Sequence, residues 1–152
     1  MLALLALILA QELPRAGVAE LAAGEILIAT AKSHDPMLAK SVVLLIRCDR
    51  DGGMGLILNR PNGKAYEGGP IELGVRTLVR APSKPDGAEH ITGDLFLLPG
   101  ISKPGRVYAG YTGWSAQQLK DEIARGLWKI HSPDAAIVFD SNPATLWTRL
   151  IR

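Results

Sequence analysis

Polar side chains that could do chemistry gather at two predicted turns in the first half of the chain. Asp35 and Ser41 belong to the first turn, and Asn59 and Arg60 belong to the second. A carboxylate near a hydroxyl could act in proton transfer, and the planar guanidinium of an arginine suits phosphate or carboxylate. The same residue types also cap turns or lie solvated in hairpins. Two interpretations therefore stay open: a small-molecule site or enzyme centred on these four residues, and a purely structural role.

The single cysteine, Cys48, offers a second possible centre of reactivity. It ends a predicted buried strand beside Arg47, and a nearby arginine would lower the pKa of the thiol and favour the reactive thiolate. Cysteine is also among the residue types most often buried as a small apolar side chain, and we favour that interpretation. The histidines lie far apart, at His34, His90 and His131, and without ligand spacing they predict no metal site. No other cofactor is predicted.

Signatures of common enzyme classes are absent from the sequence. There is no Gly-x-Ser-x-Gly elbow to present a hydrolase nucleophile. Neither a Walker loop nor a Gly-x-Gly-x-x-Gly turn follows a predicted strand, so a nucleotide cradle lacks its usual residues. With one cysteine, the chain cannot form an intrachain disulfide.

The charge balance argues against nucleic acid as the direct partner. The chain carries 17 basic and 15 acidic side chains, and a net charge of +2 is too small for the basic footprint of such a protein. The segment 40–84 is mildly basic, but Tyr66 is its only aromatic residue, so it lacks the stacking side chains of a single-strand binder. The expected partner is another protein or a small ligand, and the oligomeric state is not predicted.

Short apolar runs separated by turn residues predict the sheet that must position these side chains. The segment Ser41–Ile46 is continuous and β-branched, which is typical of a strand buried on both faces. Asp51-Gly52 predicts a hairpin after it, and 72–80 alternates as a half-exposed strand would. The predicted strands are 25–30, 41–46, 55–59, 72–80, 91–98, 106–109 and 135–140, with a turn cluster at 59–63.

Two helices are predicted late in the chain. Ser115 followed by Gln118 forms a capping box, and Trp114 with Leu119 has the spacing of a hydrophobic staple. Gly126 is the expected stop, and Asp121 and Arg125 are expected to pair on the exposed side. Asn142-Pro143 begins the second helix. Strands followed by late helices imply an α+β domain.

The length of 152 residues fits one globular domain preceded by an unusual start. Residues 2–10 are apolar without a break, too short to span a bilayer but suited to the core of a signal peptide. No Lys or Arg precedes the run, and its leucines would also suit a helix packed on the core. We expect residues 1–20 to be a signal peptide or N-terminal extension. Export to the periplasm is favoured, and a retained segment would mean a cytoplasmic protein.

Several strings, taken together in their order and spacing, give the chain a family resemblance. They are Gly24–Thr30, Asp35-Pro36, Ser41–Leu45, Gly53–Pro61, Gly68–Pro70 and Gly110–Trp114, followed by Gln118-Leu119, Glu122, Trp128, Phe139 and Trp147. This set resembles the YqgE/AlgH family over most of residues 21–152. Only six residues separate Pro61 from Gly68, which is shorter than in relatives.

The resemblance implies a fold and a surface. The fold is α+β, with a branched, mostly antiparallel β-sheet that forms a pseudo-barrel flanked by helices, in one domain over 21–152 with shortened loops. The name of the family implies regulation of transcription, and the family has no established catalytic residues to transfer. The motif positions that could share a binding surface are Asp35, Pro36, Ser41, Asn59, Arg60, Gly68, Gly69, Tyr111, Gly113 and Trp114. The glycines among them would also serve tight turns or close backbone approach.

Two classes of function follow. The first is a non-catalytic regulatory or protein-interaction domain, favoured because no set of nucleophile, base and oxyanion donors emerges. The second is a small-molecule-binding protein or enzyme that uses the neighbourhood of Asp35, Ser41, Asn59 and Arg60. A cleft that gathers these groups would favour the second class. Their use as caps for turns would remove its support.

Overall fold

The computed structural model describes residues 21–152, so the predicted signal peptide or N-terminal extension at 1–20 lies outside the described residues. The strands are β1 (Ile26–Ala29), β2 (Val42–Asp49), β3 (Gly52–Ile57), β4 (Pro61–Asn62), β5 (Ala65–Glu67), β6 (Ile71–Arg80), β7 (Glu89–Thr92), β8 (Leu95–Pro99), β9 (Arg106–Trp114) and β10 (Trp128–His131). The helices within this range are α1 (Ala116–Ala124), α2 (Ala135–Val138) and α3 (Pro143–Leu150). None of them is long and apolar enough to cross a membrane.

The strands form one curled, half-barrel sheet in the order β10-β1-β2-β3-β9-β6-β8-β7, with β4 and β5 attached as a branch. The paired strands are antiparallel except for β5 and β9, which run parallel to each other. The α+β fold with a branched, mostly antiparallel sheet and flanking helices is therefore confirmed.

Burial on both faces explains the continuous apolar run of β2. Its residues from Val42 to Ile46 are buried, because β1 and β3 pair on its two edges while side chains from both faces enter the core. On one face Leu44 belongs to the same core cluster as Leu146 of α3. On the other face Leu45 belongs to the same core cluster as Leu119 of α1. The predicted hairpin is present, with Asp49 opposite Gly52.

Glycines permit the branch of the sheet. The last residues of β9 pair with β3, while residues nearer the start of β9 pair with β5. The chain that follows β5 crosses between β3 and β9 at Gly68 and Gly69. A Cβ on Gly68 would lie 2.4 Å from the carbonyl oxygen of Gly110, and one on Gly69 would lie 2.1 Å from the carbonyl carbon of Tyr111. The predicted role of these glycines in close backbone approach is what the geometry requires.

The predicted cap of α1 is present at its start. The Ser115 hydroxyl accepts a hydrogen bond from the Gln118 N–H at 3.1 Å, and Gly126, at φ +73°, lies just after the helix. The expected Asp121–Arg125 pair is not found among the described residues. The Asp121 carboxylate accepts instead from the side-chain amide of Gln117, at 2.8 Å.

Two strand predictions and one turn prediction were wrong in part. Residues 135–140 contain helix α2 rather than a strand, because the Asp134 carboxylate caps it by accepting from the Ala136 N–H at 2.9 Å. The predicted strand 91–98 is divided between β7 and β8 by a turn at Gly93, φ +52°. The turn cluster 59–63 also contains β4, which pairs with β5 as a small hairpin. Strand β10 was not predicted.

Candidate functional site

The polar residues Asp35, Ser41, Asn59 and Arg60 do come together, around the loop that precedes β2. The side-chain oxygen of Asn59 accepts from the Val42 N–H at 3.0 Å, and its amide nitrogen donates to the Lys40 carbonyl at 2.9 Å. Asn59 therefore ties the end of β3 to the start of β2.

The other three side chains bond to the same loop. The Asp35 carboxylate accepts from the Met37 N–H at 2.8 Å, while the Ser41 hydroxyl donates to the Leu38 carbonyl at 2.6 Å. Arg60 donates to the Ala39 carbonyl at 3.3 Å. Pro36 lies exposed in the same turn.

All four side chains thus satisfy backbone groups, as caps of turns do. The hydroxyl of the buried Ser41 donates its hydrogen bond within its own loop. These backbone hydrogen bonds account for the four residue types by the structure of the loop itself.

Two clefts contain further predicted residues, Gly69 in one and Tyr111, Gly113 and Trp114 in the other, while Gly68 lines neither. The start of β6 lies at both clefts. The Arg60 cleft has a volume of about 330 Å³ and is lined by Met37, Ile57, Arg60, Asn62, Glu67, Gly69, Pro70, Glu72, Ala109 and Gly110. The Tyr111 cleft has a volume of about 340 Å³ and is lined by Arg47, Asp49, Asp51, Gly52, Gly53, Met54, Ile71, Tyr111, Gly113 and Trp114. The side chains of Ile71 and its neighbour Glu72 line different clefts. The predicted binding residues are therefore divided between the two clefts and do not form one site.

Trp114, which lines the Tyr111 cleft, also has a structural role. Its ring is buried and packs edge-on against Trp128 with centroids 5.8 Å apart. Both indole N–H groups donate to the same carboxylate oxygen of Glu122, at 3.2 Å from Trp114 and 2.9 Å from Trp128. This arrangement fixes α1 against β9 and β10.

Cys48 lacks the environment of a reactive thiol. Burial raises the pKa of the Cys48 thiol, and the nearby carboxylates of Asp49 and Glu25 raise it further. The pKa of the thiol is thus raised, not lowered as the neighbouring Arg47 suggested from the sequence, and the side chain packs beside the core cluster that contains Leu119. The geometry agrees with an apolar filling role.

The three histidines, His34, His90 and His131, have separate surroundings and do not form a cluster. The His90 ring contacts the carbonyl of Gly93 at 2.9 Å, and the His131 ring contacts that of Ser132 at 2.7 Å, while His34 is exposed. In the part of the chain that the structure describes, no three His, Cys, Asp or Glu side chains gather as metal ligands.

An apolar surface on β6 was not predicted. The alternating pattern of 72–80 predicts one buried face, yet residues 71–75 are exposed throughout and only Thr77, Leu78 and Val79 are buried. Ile71, Leu73 and Val75 are 41%, 54% and 38% exposed. The cause is a bulge: Ile71 pairs with Tyr111 and Val75 with Ala109, so the longer β6 segment projects from the sheet. Gly74, at φ +68°, was the available signal.

Comparison with known sequences identifies proteins that are similar to this chain. The model of the AlgH-like family (DUF179) matches residues 62–152. A UPF0301 protein of Streptomyces coelicolor is 30% identical over 163 residues, covering 85% of this chain and 84% of that protein. A UPF0301 protein of Chlorobium luteolum is 30% identical over 161 residues, covering 87% and 85% of the two chains.

Solved structures share the fold. A crystal structure of a Corynebacterium diphtheriae protein matches with a TM-score of 0.75 at 21% identity, covering 88% of this chain and 87% of that one. The solution structure of the AlgH protein from Pseudomonas aeruginosa matches with a TM-score of 0.71 at 23% identity, covering 88% and 86%. By sequence and by fold, the chain belongs to the AlgH-like family.

Proposed function

We propose that this protein is a non-catalytic interaction module that binds an extended segment of another protein along the projecting half of β6. The observation that carries the proposal is the set of exposed apolar residues Ile71, Leu73 and Val75 on a segment that pairs with β9 only at Ile71 and Val75 and that has no strand on its other edge among the described residues. Any regulatory role would act through such a protein partner. The near-balanced charge gives direct binding to nucleic acid little support.

The backbone of this segment supports strand addition. Strand β8 pairs with β6 only from Arg76 onward. Before that point, Gly100 donates to the Val75 carbonyl at 3.0 Å, which leaves the edge from Ile71 to Gly74 without a paired strand among the described residues. An extended peptide can supply main-chain partners to such an edge and place alternate side chains against it.

The side chains indicate the chemistry of the partner. A single exposed apolar residue needs no explanation, but a row of them is typical of an interaction surface. Ile101, 69% exposed, directly follows Gly100 and enlarges the apolar surface. Glu72 is exposed between Ile71 and Leu73, and no ion pair to it is found in the described structure. The matching segment is therefore apolar at alternate positions and carries a Lys or Arg opposite Glu72.

A library of short linear peptides displayed on phage tests the proposal. Selection on the full chain should yield sequences with alternating apolar residues and a basic residue. A selected peptide should bind the Leu73→Ser variant at least about tenfold more weakly than the wild type, which corresponds to about 1.4 kcal/mol. Methylation of alternate peptide nitrogens should also abolish binding, because it removes main-chain donors.

Ile130→Ser is the matched control, because Ile130 is 39% exposed on β10, the strand at one end of the sheet. It should bind the peptide like the wild type. Equal affinity for the wild type and Leu73→Ser, or full binding by the methylated peptide, would overturn the proposal. Selection of no peptide at all would also count against it.

A further inference from the structure

The Arg60 cleft lies beside the projecting half of β6 and has carboxylates from two strands. Glu67 ends β5 and pairs with Ala109 of β9, which pairs on its other edge with Val75 of β6. Glu72 lies on the same segment of β6 as Val75, and both glutamates are exposed. Both also line the cleft. Side chains from the two neighbours of β9 therefore border one opening across that strand.

The lining carries a surplus of negative charge. Among the described residues that line the cleft, Arg60 alone is basic, and its guanidinium donates to the carbonyl of Ala39 at 3.3 Å. The Glu67 carboxylate accepts from the neutral side-chain amide of Asn62 at 2.8 Å. In residues 21–152, neither Glu67 nor Glu72 forms an ion pair. A cation is therefore the species whose charge complements the cleft.

The rest of the lining suits a long side chain. The part of β9 that borders the cleft consists of Ala109 and Gly110, which leave space above the strand, and Met37 and Pro70 add apolar surface. Lysine and arginine lay their methylene stems along such a surface and keep the charged end in a polar environment. The four-carbon stem of lysine also spans the distance between neighbouring strands, about 4.8 Å. A basic residue on a strand added to β6 can therefore reach across β6 into the cleft.

We propose that the Arg60 cleft receives the side chain of a lysine or arginine from the segment bound along β6, an inference that rests on the proposed function. The cation lies between Glu72 and Glu67, and its stem lies against Met37 and Pro70. The partner therefore requires a basic residue at one fixed position. Acetylation of a lysine there removes the charge that the cleft recognises and releases the partner.

Peptides selected on phage against the full chain test the cleft through their basic residue. Replacing a lysine with norleucine or acetyl-lysine, or an arginine with citrulline, keeps the stem and removes the charge. Fluorescence polarisation should show that each neutral peptide binds the wild type at least about tenfold more weakly than the charged one. Equal affinity of the two forms, or selected peptides without a basic residue, would overturn this inference and leave strand addition intact. Selection of no peptide would overturn both.

Variants of the cleft separate it from the edge of β6. Glu67→Gln removes a carboxylate on β5, outside the bound edge, and should weaken binding of the charged peptide about threefold or more. Ala109→Leu, at an exposed position of the lining, should also weaken it, because the larger side chain fills the cleft. Arg60→Gln should strengthen binding, because it removes a like charge. The control is Asp86→Asn, an exposed carboxylate in the loop between β6 and β7, which should bind like the wild type.

The neutral peptide distinguishes recognition of charge from a change in the fold. Its affinity should be the same for the wild type, Glu67→Gln and Arg60→Gln, because it carries no charge in the cleft. Leu73→Ser should weaken both peptides, since it acts on strand addition. Equal losses of both peptides in Glu67→Gln, or full binding of the charged peptide by that variant, would contradict the assignment of the cleft.

Discussion

At the residue scale, side chains with the chemistry of a site are mostly used to hold the chain. Glu122 accepts hydrogen bonds from two indole rings, and Asn59 joins two strands. Both uses depend on partners far away in the sequence or on backbone groups that a sequence pattern does not reveal. A polar residue beside a turn can therefore suggest chemistry while its role is to satisfy the backbone.

Removal of the Glu122 carboxylate should destabilise the protein. Glu122→Ala leaves the N–H groups of Trp114 and Trp128 without their acceptor, so we expect a loss of about 1–3 kcal/mol in the free energy of unfolding. Urea denaturation followed by circular dichroism measures it. Glu89→Ala, which breaks the exposed pair with Arg47, should cost less than about 1 kcal/mol. Equal costs for the two variants would contradict the structural role of Glu122.

Asn59 should matter for stability more than Arg60 does. Asn59→Ala removes the acceptor of the Val42 N–H and the donor to Lys40, whose backbone is held at φ +58°. A cost of about 1–3 kcal/mol is expected. Arg60→Ala breaks a single bond of 3.3 Å and should cost less than about 1 kcal/mol. Thermal unfolding of both variants compares them, and a larger loss in Arg60→Ala would refute this assignment.

At the element scale, the sequence predicted correctly those helix caps and turns that depend only on residues adjacent in the chain. The Ser115 cap of α1 and the hairpin at Asp51-Gly52 need only neighbours in sequence. The segment 135–140 was predicted as a strand from its apolar residues, but a cap at Asp134 turns it into a helix. Periodicity cannot distinguish a short buried helix from a strand.

The exposure of β6 could not be predicted for a different reason. Among the described strands, none pairs with the free edge of its first half, because β8 pairs only from Arg76 onward. The strand pattern reports the type of element, while burial depends on which strands lie beside it. Arg76 is a second example, because no sequence motif indicates that its Nη2 lacks a hydrogen-bond partner within residues 21–152.

The branch of the sheet should tolerate no side chain at Gly69. A methyl group there would lie 2.1 Å from the carbonyl carbon of Tyr111, so Gly69→Ala must displace β9 and should cost about 3 kcal/mol or more. In Gly63→Ala nothing lies within 4 Å of the new methyl group, and only backbone strain at φ +65° is added, about 1–2 kcal/mol. Chemical denaturation of both variants ranks them, and the reverse order would be incompatible with the described crossing.

At the scale of the whole molecule, the last helix is attached to the sheet by charged side chains. Arg149 of α3 binds both carboxylate oxygens of Asp140, at 2.7 and 3.0 Å. The guanidinium of Arg106, on β9, donates to the carbonyls of Val138, Phe139 and Asp140. Protonation of Asp140 should therefore loosen the contact between the end of the chain and the sheet.

The ion pair between Asp140 and Arg149 predicts how the stability of the protein changes in acid. The hydrogen bonds from Arg149, with a further contribution from the Asn142 N–H, lower the pKa of Asp140 below its ordinary value. Its contribution to stability is therefore present above the pKa of the unfolded chain, roughly pH 4, and is lost as the pH falls through the lower pKa of the folded protein. In the Asp140→Asn variant, the stability should therefore change less with pH in this range.

Denaturant midpoints between roughly pH 5 and pH 2 measure the effect. The matched control is Asp86→Asn, which changes an exposed carboxylate in the loop between β6 and β7. It should keep the acid dependence of the wild type. If Asp140→Asn loses stability as steeply as the wild type does in this range, the pair does not contribute as described.

Binding along β6 is the central claim about the whole molecule, and hydrogen–deuterium exchange of the full chain tests it most directly. With a selected peptide bound, the amides of residues 71–75 should exchange more slowly, because the added strand gives them partners or covers them. The amides of β10, at the opposite end of the sheet, should exchange at the same rate with and without the peptide. Slower exchange elsewhere, with residues 71–75 unchanged, would contradict the proposed function.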